Sequence, residues 1–105
     1  MNVKHLSEFN AFAAEKLAKH NLFETSRFFL DVYCLKPGQA QKAHAHAGSD
    51  KVYVVLEGRC RFSVSGESAD HAEGAAVFCP AGADHGVENP GPANARLLVM
   101  MAPAP

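Results

Sequence analysis

From Thr25 onward the apolar residues come in short runs: FFLDVYCL from Phe28, KVYVVLEG from Lys51, CRFSV from Cys60, AAVFC from Ala75 and ARLLVMM from Ala95. Between them stand PG, GS, EG, SG, AG and NPGP, whose glycines and prolines supply turn geometries that other residues resist. Many short strands punctuated in this way predict an all-β sandwich or barrel. The chain before Thr25 reads differently. Ser7 can cap a helix, Phe9, Phe12, Ala13 and Leu17 recur at helical spacing, and Asn21 is a plausible stop. The expectation is a helical segment within residues 1–24 and a β-barrel over residues 25–105, together one domain. The closing MAPAP has two prolines that cannot donate to a ladder, so it should be a loose end or an edge cover. No internal repeat is evident.

Composition narrows the classes. The chain has 105 residues and a net charge of −1, with no basic stripe of the kind nucleic acid needs and no acidic tail. No apolar run reaches the length of a membrane span, and no signal peptide is evident, so a cytoplasmic protein is expected. Cys34, Cys60 and Cys79 are odd in number and widely spaced, which fits buried free thiols in a reducing compartment better than disulfides or a zinc knuckle.

The chemistry gathers at histidines. In "KAHAHAGSDKVYVVLEG", His44 and His46 stand at i and i+2, a spacing that puts both side chains on one face of a strand. Imidazole suits zinc, copper, iron and nickel. The pair alone is weak evidence, since surface histidines often show it. A third histidine, His85, follows the Pro80–Gly82 turn in "PAGADHGVEN".

These two stretches resemble the cupin superfamily. Gly38, His44, His46 and Gly58 fit the spacing of its first motif, and Gly74, Pro80, Gly82, His85 and Asn89 fit every fixed position of its second. The resemblance runs from about Leu35 to Asn89 and is that of a small, bacterial-type single-domain member. It implies a double-stranded β-helix, a jelly-roll barrel with a central pocket, here preceded by a short N-terminal helix. It implies that His44, His46 and His85 bind a divalent transition metal at the pocket floor, whether Fe, Ni, Zn, Mn or Cu. Members include dioxygenases, isomerases, decarboxylases, storage proteins and metal-free sugar-binding modules, so the fold does not fix the function.

The departure lies at the acid of the first motif. After three or four intervening residues would come a glutamate; here those two places hold Asp50, after Ala47, Gly48 and Ser49, and Lys51. An inward Asp50 would complete the site through a local bulge or a bridging water. An inward Lys51 would point an ammonium at the metal position, unfavourable unless the amine loses its proton. Polarity alone puts Asp50, Val52, Val54 and Leu56 on the core face; the family spacing puts Lys51, Tyr53 and Val55 there. We follow the family register. It leaves Val52, Val54 and Leu56 as an apolar outer face, to be covered by the N-terminal segment or by a second subunit, and a homodimer is expected. Lys51 itself is expected at the pocket edge or outside, paired with Glu57 or Asp50 rather than with the ion.

The other residues have plainer readings. Gly74, Pro80 and Gly82 are turn formers, and Asn89 should bond backbone near its turn. Tyr53 is either a pocket hydroxyl or strand filling. His5, His20 and His71 should face solvent. No phosphate-binding loop appears. Two classes therefore stand: a metal-dependent enzyme of dioxygenase or isomerase type, acting on a small molecule, with Tyr53, Lys51 and Asp50 as acid–base candidates; or a noncatalytic small-ligand-binding or sensing module, metal-free or with a structural metal.

Overall fold

A computed structural model describes residues 1–105. Nine strands follow one 3-10 turn at Leu6–Glu8: β1 (Ala18–Thr25), β2 (Phe28–Leu35), β3 (Ala40–His44), β4 (Asp50–Glu57), β5 (Arg59–Val64), β6 (Glu67–Ala72), β7 (Ala76–Cys79), β8 (His85–Glu88) and β9 (Ala95–Ala102). They form two antiparallel sheets, ordered β1-β2-β9-β4-β7 and β3-β8-β5-β6. The expected all-β jelly roll is the fold. No helix is long and apolar enough to cross a membrane.

Alternation builds the core. In β9, Ala95, Leu97, Val99 and Met101 are buried while Arg96, Leu98, Met100 and Ala102 turn the other way. In β4, Lys51, Tyr53 and Val55 are buried while Val52, Val54 and Leu56 are half-buried. The inward faces of both sheets meet in one cluster that includes Tyr33, Leu35, Tyr53, Leu97 and Val99 from the larger sheet and Cys60, Phe62 and Val87 from the smaller. The family register therefore holds, and the polarity reading of β4 fails. The outer residues look like core because they too are covered: Leu56 and Leu98 pack with Val32 and Cys34 under Leu6, Phe9 and Phe12.

That covering segment corrects one expectation. Residues 7–20 are not a helix: a single 3-10 turn is followed by irregular chain, and Ala18–Thr25 is a strand. The apolar residues at helical spacing serve two separate surfaces. Phe9 and Phe12 lie on the outside of the larger sheet, whereas Leu17 belongs to the main core. From Ala18 on, the backbone finds its partners in β2, pairing Ala18 with Cys34 through Thr25 with Phe28. Ladder bonds along eight residues outweigh a modest helix propensity.

A bulge sets up the site. β3 pairs Gln41 with Val87 and then His44 with His85, so Lys42 and Ala43 together oppose Gly86. The extra residue resets the alternation, and Gln41 and His44, which a regular strand would put on opposite faces, both turn inward. Gly86 permits it: a Cβ there would lie 2.9 Å from both Ala43 N and Gln41 O.

Candidate metal centre

The three histidines converge. His44 ends β3, His46 lies just past it and His85 opens β8 across the ladder. Their ring centroids are 4.8 Å (44–46), 4.4 Å (44–85) and 5.7 Å (46–85) apart. One ring nitrogen from each falls within 4.8 Å of the others. His44 Nδ1 donates to Lys42 O at 2.8 Å and His85 Nδ1 donates to Ala83 O at 3.0 Å. A carbonyl can only accept, so each bond fixes the Nδ1–H tautomer and leaves the Nε2 lone pair free. His85 is 2% exposed, and its Nε2 is a buried polar atom without a hydrogen-bond partner. Buried polar atoms are rarely left so. Backbone carbonyls holding Nδ1 are the usual outer partners of metal-binding imidazoles. The donor set thus fits a divalent ion of borderline softness. Burial, and then the neighbouring positive groups, hold His46 below the usual imidazole range; burial does the same to His85, so both present free lone pairs at neutral pH.

Asp50 does not join them. It is exposed, and its Oδ1 accepts the Ala81 N–H at 2.8 Å. Its odd-numbered neighbour takes the inward place. Lys51 is 1% exposed, and its Nζ donates to Gln41 Oε1 at 3.1 Å. The ammonium stands 4.9 Å from the centroid of Tyr53 and 5.6 Å from that of Tyr33, against two ring faces. The expected pairing with Glu57 or Asp50 is corrected here: Glu57 pairs with Arg96 at 3.4 Å at the other end of β4, where a register shift between Val55 and Glu57 breaks the alternation and puts Glu57 opposite Arg96 on the outer face. Burial, and after it the charge of Lys19, push the Lys51 amine down to about 8.

Gln41 links the buried polar groups. Its Oε1 also accepts from Tyr53 OH at 3.1 Å. Burial pushes the Tyr33 hydroxyl up to about 12 and raises that of Tyr53 as well, so both stay protonated at neutral pH. Gln41 carries no signal in the sequence, since its inward aim depends on the bulge. A cavity of about 460 Å³ opens here, bordered by His44, His46, Lys51, Tyr33, Gln41 and Lys19 among others.

The remaining candidates take structural places. Asn89, 1% exposed, donates to Leu35 O and Ala93 O and accepts from Gly91 N, pinning the loop before β9. Cys34, Cys60 and Cys79 are buried and free, and burial pushes the Cys60 thiol up to about 12. His5 and His71 are exposed. His20 is half-buried and donates from Nε2 to Ala11 O at 2.8 Å, tying the N-terminal segment to β1.

Known proteins share this architecture. The TT1209 protein of Thermus thermophilus superposes with a TM-score of 0.97 at 48% identity, covering 100% of both chains. The tetracenomycin polyketide synthase protein TcmJ of Streptomyces glaucescens is 33% identical over 75 residues, 71% of this chain and 50% of that one. A mannose-1-phosphate guanylyltransferase of Klebsiella pneumoniae is 34% identical over 68 residues, 65% of this chain and 14% of that one. The chain therefore spans half or less of the length of these curated relatives, whose names describe unlike activities. The profile of the cupin domain family matches residues 31–101. The chain belongs to the cupin family.

Proposed function

We propose that the protein is a metal-dependent cupin in which His44, His46 and His85 hold one divalent transition ion beside a small-molecule pocket. The observation that carries this reading is the buried, unpartnered Nε2 of His85, aimed into a cluster whose other rings stand 4.4 and 5.7 Å away. A bound ion would supply Lewis acidity or activation of water or oxygen, with coordination positions left open by a three-ligand set. The chain's own residues would do the rest. Lys51 is the group poised to give or take a proton near neutral pH, while Tyr53, held protonated and bonded to Gln41, positions rather than deprotonates. A dioxygenase- or isomerase-type reaction suits this set.

A second reading, a noncatalytic ligand-binding module with the same metal, is favoured by the place of Asp50: the one nearby carboxylate faces away, and no acid sits at the cluster. The three buried thiols suit a reducing compartment, and we assign the protein to the cytoplasm.

Elemental analysis of protein purified without an affinity tag tests the metal. About one ion per chain is expected, and His44→Ala combined with His46→Ala should abolish it. Full metal retention by that double variant would place the ion elsewhere. Turnover screening of the loaded protein then separates the two readings.

A further inference from the structure

Lys51 is buried without an obvious counterpart. A lysine ammonium has three N–H donors and a full charge, and burying one without a counter-charge is expensive. Here one donor meets Gln41 Oε1, an oxygen already shared with Tyr53, and the charge rests against two aromatic faces. No carboxylate forms a salt bridge with it. Asp31 is the acid whose field reaches it from β2, but the Asp31 carboxylate accepts from Asn21 Nδ2 at 2.7 Å and does not line the cavity. The cavity wall has three lysines, Lys19, Lys42 and Lys51, and no aspartate or glutamate. Lys19 is exposed at the mouth, its Nζ 5.3 Å from the Tyr33 ring centroid. The three imidazoles bring no negative charge, and a divalent ion on them would add two positive ones. Nothing in the chain balances this site.

We infer that the balance comes from the ligand, and that the cavity binds a small carboxylate, its charged oxygens lying between Lys51 and the histidine cluster with Lys19 at the mouth. The reading of the site as a metal centre supplies one of these contacts; Lys51 and Lys19 supply the others. A carboxylate suits the wall better than a phosphate does. The wall has no arginine fork, and no helix N-terminus is there to offer backbone donors. Phe29 and Tyr33 give it aromatic surface instead. A volume of about 460 Å³ accommodates a small organic acid. The substitution of Lys51 for the glutamate of the family motif thus moves a negative oxygen from the protein to its ligand.

Paired probes of equal shape test the charge requirement. Acetate against acetamide, and benzoate against benzamide, are titrated into the full chain with and without zinc, and zinc content is measured on the same samples. The acids should bind more tightly than their amides by roughly tenfold to a hundredfold, the range of a hydrogen bond to a charged group. Lys51→Met should remove most of that preference without changing zinc content. Lys19→Ala, a surface change that leaves the fold alone, should reduce it by a smaller factor of about three. Equal binding of acid and amide, no binding of either pair, or a preference that survives Lys51→Met would overturn the proposal. Protein that refuses zinc yet keeps a Lys51-dependent preference for acids would instead refute the metal reading alone. Protein that takes zinc without that preference would do the reverse.

Discussion

Lys51 and Asp50 are adjacent in the chain and opposite in fate. One is enclosed against Gln41, Tyr33 and Tyr53; the other is exposed with its carboxylate on the Ala81 N–H. Changing Lys51 to Glu exchanges an inward cation for an inward oxygen ligand. Divalent-metal affinity should rise at least about tenfold, which corresponds to ~1.4 kcal/mol. Gln41 can accommodate the change by turning its amide to donate. Asp50→Ala should leave metal affinity within about twofold, since that side chain serves one backbone bond, and lower stability by about 1 kcal/mol. Titrating both variants and the natural protein with one metal at one pH gives the answer; equal affinity for Lys51→Glu and the natural protein would mean that position 51 does not reach the ion. This register is legible only through motif spacing. Hydropathy alone points the wrong way at β4, because Val52, Val54 and Leu56 are apolar for the sake of an outer surface.

At the scale of elements, the β3 bulge opposite Gly86 decides which side chains share the pocket. Gly86→Ala would press a Cβ against two backbone atoms at 2.9 Å, in a ladder that cannot retreat without moving His44 away from His85. Overpacking of this kind costs about 1–3 kcal/mol, so the melting temperature should fall by at least about 4 °C. Metal affinity should fall with it. Gly48→Ala is the control, because nothing lies within 4 Å of the Cβ it would add. A thermal melt and a metal titration of both variants check this, and matching behaviour would deny the bulge its role. Strands β2, β4, β5, β7 and β9 are readable from short apolar runs between turn residues, and His44, His46 and His85 from their motifs, but β3 and β8, which carry the bulge, contain no such run. Gln41 is not, since strand parity counted along the sequence breaks at an unannounced extra residue. The N-terminal segment misleads for a related reason: Phe9, Phe12 and Leu17 are apolar at helical intervals, but they answer to two surfaces on either side of a sheet.

Over the whole molecule, the outer face of the larger sheet is unevenly covered. The N-terminal segment shields Leu56 and Leu98, while Phe78 is 58% exposed and Met100 41% exposed. Phe78, Val52 and Met100 are neighbours in register across β7, β4 and β9. An apolar row of this kind suits a two-fold contact with a second copy. A dimer by light scattering is expected, converted to monomer by Phe78→Asp with little loss of fold; a natural protein that stays monomeric at high concentration would remove this assignment. The strand order carries a further consequence, in the time domain. β9 lies between β2 and β4, yet every other strand precedes it in the chain. During synthesis the larger sheet therefore stays split, with two unsatisfied edges and an open core, until Ala95–Ala102 has cleared the ribosome. A nascent chain stalled before Ala95 should be rapidly cut by protease, and one whose Ala95–Ala102 segment is held clear of the ribosome by an appended linker should resist. Chaperone demand would concentrate in that interval, and pauses in translation placed within it would prolong the exposure.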